Sequence, residues 1–187
     1  MQTFSNRLVS LPGLLTMLNV DYQYSPAKSD FYTRNINKVY MKSRMSIKKE
    51  EPRVYKAMME AENQIESFGI DAKILNLIRT RASQLNGCGY CINDHTKDAR
   101  KAGETEQRLY ALSAWWETPF FTEEEQVILK LTEEITHLTR SGVSDELYNK
   151  ALATLGKQKL AQIIFAIITI NGWNRIAITT HMVADLD

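Results

Sequence analysis

From residue 51 almost to its end, the chain repeats apolar residues at helical steps. Val54, Met58, Ala61, Ile65 and Phe68 follow Pro52 at intervals of four and three, and Pro52 suits a first helical turn. Glu60, Glu62 and Glu66 fall off that stripe and read as its solvated face, and Phe68-Gly69 ends the helix. A second helix is expected from about Asp71 to Leu85 on Ile74, Leu75, Ile78, Ala82 and Leu85. Beside its stripe, Asn76, Thr80 and Ser83 form a small polar one. Glu104 to Trp116 forms another helix, broken at Thr118-Pro119. Thr122-Glu123-Glu124-Glu125 is a capping box that opens a helix to about Leu138. Ser144 caps a further one that Gly156 stops. Lys157 to Ile170 becomes apolar on all sides over Ile163 to Ile168, which predicts a central or interface helix. Asn171-Gly172 is expected to separate it from a last helix, Trp173 to about Val183. No stretch alternates as a strand does, so the fold class is all-α.

Residues 1–40 differ from this pattern. Tyr22, Tyr24, Phe31, Tyr32 and Tyr40 stand among Asn, Ser and Pro without a helical period. They are expected to be an N-terminal extension, irregular or packed on a neighbouring subunit, ahead of a helical domain over 41–187. Met41 and Met45 are alternative starts. At 187 residues and 44% apolar content the chain suits one domain with a sizeable core. A net charge of +1 argues against nucleic acid or an anionic membrane surface as partner. The run Ala161 to Ile170 is too short to span a bilayer and contains Gln162 and Thr169. An apolar patch from Leu8 to Leu18 is interrupted by Pro12 and lacks a clear small-residue cleavage site, so a cytoplasmic location is expected.

The chemistry concentrates in Asn86-Gly87-Cys88-Gly89-Tyr90-Cys91-Ile92-Asn93-Asp94-His95. This stretch holds both cysteines of the chain and one of its three histidines. Asn86-Gly87 signals a turn, and Cys88, Cys91, Ile92, His95, Ala99 and Ala102 then recur at helical spacing towards a stop at Gly103. If Cys88 opens that helix, Cys91 and His95 lie within about 60° of it on the wheel. Asn93, Asp94, Lys97, Asp98, Arg100 and Lys101 take the opposite face. Two thiols and an imidazole then share the inward face. One reading is thiol–disulfide chemistry, because a helix N-terminus lowers a thiol pKa and a C-x-x-C pair can close a disulfide. Another is a Cys/His metal site, for which zinc would want a fourth ligand or an open position. His137 and His181 sit in other helices without neighbouring ligands. A third is a non-catalytic oligomeric redox sensor or scaffold, with Trp115, Trp116, Trp173 and the Ile163–Ile168 run as interface anchors.

Arg81-Ala82-Ser83-Gln84-Leu85-Asn86-Gly87-Cys88-Gly89-Tyr90-Cys91, followed by His95, Thr96 and Lys97, resembles the alkylhydroperoxidase D core of the carboxymuconolactone decarboxylase superfamily. Leu112-Ser113-Ala114-Trp115 and Ile170-Asn171-Gly172-Trp173-Asn174-Arg175 are similar to its peroxidase-related subgroup. The resemblance covers about Met45 to Val183. It implies a multihelical bundle built from helical hairpins that assembles as trimers or hexamers. The Asn-Gly pairs at 86–87 and 171–172 hint at two related hairpins. It also implies reduction of a peroxide or disulfide substrate without a cofactor or metal, with electrons from a lipoyl or thioredoxin-like dithiol protein. By matching position, Cys91 is the inner thiol that attacks the peroxide. Cys88, nearer the surface, resolves it, and His95 belongs to the proton relay. A lactone decarboxylase needs no C-x-x-C pair, which argues against that activity. Arg175 reads as a structural ion-pair partner.

The family pattern carries a glutamate about twelve residues before the first cysteine, where this chain has Asn76. Asparagine holds a hydrogen bond or a water, but takes no proton at neutral pH. Asn76 and Ser83 remain candidates for positioning a water or relaying through hydrogen bonds. His95 loses a carboxylate partner, so its pKa should fall and any peroxidase should be weak, or serve disulfide exchange instead. Asp71 lies too far along its helix to replace the glutamate, and Asp94 points to the other side of its own. Asn76→Glu is expected to raise hydroperoxide turnover in a reductant-coupled assay; an unchanged rate would remove the relay from the account.

Overall fold

A computed structural model of the chain describes residues 42–139 and 141–185. The expectations placed on residues 1–40 lie outside them. Within the described residues the elements are α1 (Ile47–Glu50), α2 (Pro52–Ser67), α3 (Ala72–Asn86), α4 (Gly89–Lys101), α5 (Glu106–Ala111), a 3-10 turn (Leu112–Glu117), α6 (Glu123–Thr136) and α7 (Asp145–Thr180). The fold is all-α, and no strand occurs among the described residues.

Local chemistry sets most of the ends. Asp71 accepts the Lys73 amide at 2.7 Å to open α3, and Thr122 and Glu125 close their reciprocal box at the start of α6. Gly87 ends α3 at φ 69°, a left-handed turn that glycine takes without a Cβ penalty. The chain then turns straight into α4 with Cys88 as the capping residue.

Two expectations change. Glu104 to Trp116 is a short α-helix followed by a 3-10 turn, because Ala114 leaves helical geometry at φ −134° and ψ 40°. Of the two tryptophans there, Trp115 is buried and donates its indole N–H to Glu133, whereas Trp116 is exposed. More consequentially, Asn171-Gly172 does not interrupt the last helix. The only break in α7 is at Gly156, with φ 72° and ψ 165°. Asn171 stays helical because its amide donates to Thr136 Oγ1 at 3.0 Å and to the Ile167 carbonyl at 2.9 Å. Gly172 has a packing reason: a Cβ there would stand 3.1 Å from Met58 Cε on α2. Helix α7 also contains an 18-residue window of mean hydropathy 1.3, long and apolar enough to cross a membrane by length and composition. Part of that apolarity builds the core. Ile163, Ile167 and Ile170 are buried against Ile78, Ala82, Ile128 and Leu131 of α3 and α6.

The two Asn-Gly pairs meet. Asn86 Nδ2 donates to Oδ1 of Asn171 and of Asn174, each at 2.9 Å, and Asn174 Nδ2 donates to Ser83 Oγ at 2.9 Å. Ser83 in turn donates to the Arg79 carbonyl at 2.6 Å. Arg175 makes no ion pair within the described residues; it donates to Asn171 Oδ1 at 2.9 Å and to the Asn171 carbonyl. This buried network ties the α3–α4 corner to the middle of α7 without leaving any of its amides unpaired. Asn174→Ala takes the amide donor from Ser83 and an acceptor from Asn86 in a fully buried spot. It should cost about 2–3 kcal/mol, read as a lower urea midpoint at unchanged slope.

Candidate active site

The turn at Gly87 delivers Cys88 to the N-cap of α4, and helix geometry does the rest. Cys88 Sγ accepts the Cys91 amide at 3.4 Å, and the two cysteines are joined by a disulfide with their Cα atoms 5.4 Å apart. Ala177 of α7 packs with both cysteines in one buried cluster, with Tyr90 and Met182 alongside. Cys88 is 1% exposed and Cys91 3%, so Cys88 is not the nearer to the surface as expected. The reason is the N-cap position, which tucks its side chain back over the first turn of α4 beneath α7.

Cys91 and His95 open on one cavity of about 200 Å³. Its walls come from three other directions as well: Tyr55, Met59 and Glu62 from α2, Trp173 and Ala177 from α7, and Met182 beyond it. Tyr55 meets Trp173 edge to face with ring centroids 5.7 Å apart. The walls are thus largely apolar and aromatic around one sulfur and one imidazole.

That setting governs the imidazole. Burial, and next the positive charge of Arg79, lower the His95 pKa from 6.5 to about 4, with Asp98 acting weakly the other way. His95 is therefore neutral at pH 7, and its Nδ1 is buried without a hydrogen-bond partner. The lower pKa was expected from the missing carboxylate; its leading cause is desolvation. Burial also raises the Tyr90 phenol, helped by the nearby Asp94.

The other expected site residues are placed differently. Asn76 is 4% exposed with Oδ1 unpartnered, one turn from Thr80, whose hydroxyl is also buried without a partner. Neither lines the cavity. Ser83 is engaged by Asn174 and the Arg79 carbonyl, and is a strut of the fold rather than a wall of the cavity. Asp94, expected on the far side of its helix, reaches the cavity edge, because it lies nearly one turn beyond Cys91. Glu62 was read as part of a solvated face. Its side chain is only 18% exposed and pairs with Arg79 at 2.6 Å while facing the cavity. Sequence periodicity could not show this, since the partner that shields Glu62 is Arg79, reaching across from α3. No group of three or more His, Cys, Asp or Glu among the described residues is arranged to hold a metal ion.

Among the described residues, an all-helical fold with a C-x-x-C disulfide at a helix N-terminus and a half-buried histidine one turn on defines an alkylhydroperoxidase D-like protein. The chain belongs to the carboxymuconolactone decarboxylase family, whose profile matches residues 52–134. It is 41% identical over 138 residues to the uncharacterized protein YdfG of Bacillus subtilis, covering 74% of this chain and 94% of that one. It is 30% identical over 109 residues to the alkyl hydroperoxide reductase AhpD of Streptomyces coelicolor, covering 57% of this chain and 61% of that one. Among solved structures, an Agrobacterium tumefaciens protein of unknown function, for which an AhpD-type antioxidant defence role has been suggested, superimposes with a TM-score of 0.75. It is 33% identical, and the match covers 78% of this chain and all of the other. An uncharacterized peroxidase-related protein from a Silicibacter species gives a TM-score of 0.64 at 16% identity over 86% of each chain, a likeness of fold alone.

The unfolded chain protonates His95 near pH 6.5 and the folded chain only near pH 4, so stability is full above pH 6.5 and falls as pH drops towards 4. The loss attributable to this one group is on the order of 3 kcal/mol. Denaturation at pH 7 and pH 4.5 should therefore show a smaller drop for His95→Asn than for the unaltered chain. An imidazole titrating near 6.5 by NMR would contradict it.

Proposed function

We propose that the protein reduces hydroperoxides with its Cys88–Cys91 pair. The observation that carries this reading is the shared cavity: Cys91 and His95 face the same small apolar space, and the second sulfur stands within bonding distance of the first. Family membership and the hydroperoxide reductase name of the Streptomyces coelicolor relative support it.

The Cys91 thiol gives up its proton, and the thiolate attacks the terminal oxygen of the hydroperoxide. The O–O bond breaks, the sulfur is left as a sulfenic acid, and the alkoxide takes the proton and departs as an alcohol. Cys88 then attacks the oxidised sulfur, the S–S bond forms and water leaves. A dithiol protein of lipoyl or thioredoxin type reduces the disulfide by exchange, becoming a disulfide itself, and returns both thiols. At neutral pH the uncharged His95 accepts the thiol proton only transiently. With so low a pKa it is a weak base, which fits a modest peroxidase. The buried cysteines require the reductant to approach through the groove beside them, walled by Gly87, Gly89, Tyr90, His181 and Met182.

In this reading the working form is a cytoplasmic homo-oligomer, a trimer or hexamer. The apolar face that α7 leaves outside, with Phe165 37% and Ile168 55% exposed, supports association of copies.

Reduced protein mixed with one equivalent of an alkyl hydroperoxide should form the intramolecular disulfide, seen by mass spectrometry after alkylation. Cys88→Ser should stop at a sulfenic acid trapped by dimedone on Cys91, and Cys91→Ser should not react. Thiols that survive hydroperoxide in the unaltered chain would sink this function.

A further inference from the structure

Asn76 replaces the acid of the family pattern and does not line the cavity, yet two carboxylates border it: Glu62 on α2 and Asp94 on α4. Their settings differ. Asp94 is an exposed residue at the rim. Glu62 crosses from the neighbouring helix with its side chain 18% exposed. One of its oxygens, Oε2, receives Arg79 Nη2 at 2.6 Å, and the other has no hydrogen-bond partner among the described residues. Arg79 is the same cation that acts on His95. Glu62, His95 and Cys91 therefore border one cavity, and Arg79 bears on both the carboxylate and the imidazole.

We propose that Glu62 is the carboxylate of this site, taking the Cys91 proton that Asn76 cannot take and returning it to the departing alkoxide. The inference rests on the hydroperoxide-reducing reading. Arg79 keeps one oxygen of Glu62 fixed, so the other oxygen is the one left to accept a proton. The step balances within that reaction. The thiol proton passes to Glu62, directly or by way of His95, the O–O bond breaks under attack by the thiolate, and the proton leaves Glu62 with the alcohol. The groups that bear on Glu62 are Arg79 from α3, His95, Asp94 and Tyr90 from α4, and Tyr55 and Glu66 from its own helix; α7 presents the uncharged Trp173. The acid has in effect moved from α3 to the facing helix, while Arg79, three residues after position 76, holds it in place.

The test measures disulfide formation in the reduced full chain after addition of tert-butyl hydroperoxide, quenched by alkylation, between about pH 5 and 9. Glu62→Gln should slow oxidation by about tenfold or more at neutral pH, and Glu62→Asp should recover part of the rate. Glu66→Gln is the control. Glu66 also pairs with Arg79, at 3.1 Å, but is 64% exposed and stands outside the cavity, so its loss should leave the rate within about twofold. Removing Glu62 also leaves Arg79 less neutralised, and the His95 midpoint measured by NMR should fall further, which a purely structural role would not require. With Glu62 present Asn76→Glu adds a second carboxylate, so its gain should be larger in the Glu62→Gln background. Unaltered chain that oxidises while Glu62→Gln keeps pace would overturn the role of Glu62 and leave the function standing. Slowing by Asp94→Asn with no effect of Glu62→Gln would overturn it in favour of the rim carboxylate. Failure of the unaltered chain to oxidise would remove both.

Discussion

The hydrogen bonds from Asn86 to Asn171 and Asn174 hold this molecule to its purpose. Asn86 is the last residue of α3, immediately before the left-handed glycine, and the cysteine helix begins three residues after it, at Gly89. Any drift of that corner relative to α7 would carry the two sulfurs with it. Apolar packing alone is tolerant of sliding, whereas amide pairs in a dry interior are directional and costly to break. Ser83, Asn174, Asn171 and Thr136 extend the same constraint across three helices. Position 83 thus serves the site by fixing the frame around it.

The site itself is an exercise in keeping charge scarce. Ala177 packs with the cysteines, aromatic rings wall the cavity, and the imidazole is driven to its neutral form. In a medium of this kind a nearby charge matters more than it would in water. The Arg79–Glu62 pair brings a positive and a negative charge together at the edge of that dry space, each lowering the desolvation cost of the other.

Much of this was readable from residues alone, for identifiable reasons. The helix over Gly89–Lys101, its N-cap at Cys88 and the inward set of Cys91 follow from the Asn-Gly turn and a short-range period. The capping box at Thr122 and the stop at Gly156 are likewise local chemistry, and both stand. What escaped depends on contacts between distant segments. Asn171-Gly172 carries the turn signature of Asn86-Gly87, yet its asparagine is engaged by Thr136 and its glycine accommodates Met58, so tertiary packing overrides the dipeptide. Glu62 had the position of a solvated residue on its own helix, and only the arrival of α3 with Arg79 makes it half-buried. The exposed rank of Phe165 and Ile168 shows that an all-round apolar run can mark a helix with one face in the core and one left bare.

The missing side chain at position 172 reaches further than its own helix. Met58 fills the space a methyl group would take, and in the same stretch Tyr55 leans on Trp173 while Met59 and Glu62 overhang the sulfur. The depth at which α2 seats on α7 is therefore the height of the ceiling above Cys91. In descendants of this chain, bulk gained or lost at 172 and 58 would retune which molecules fit beneath that ceiling, with no residue of the reacting chemistry altered.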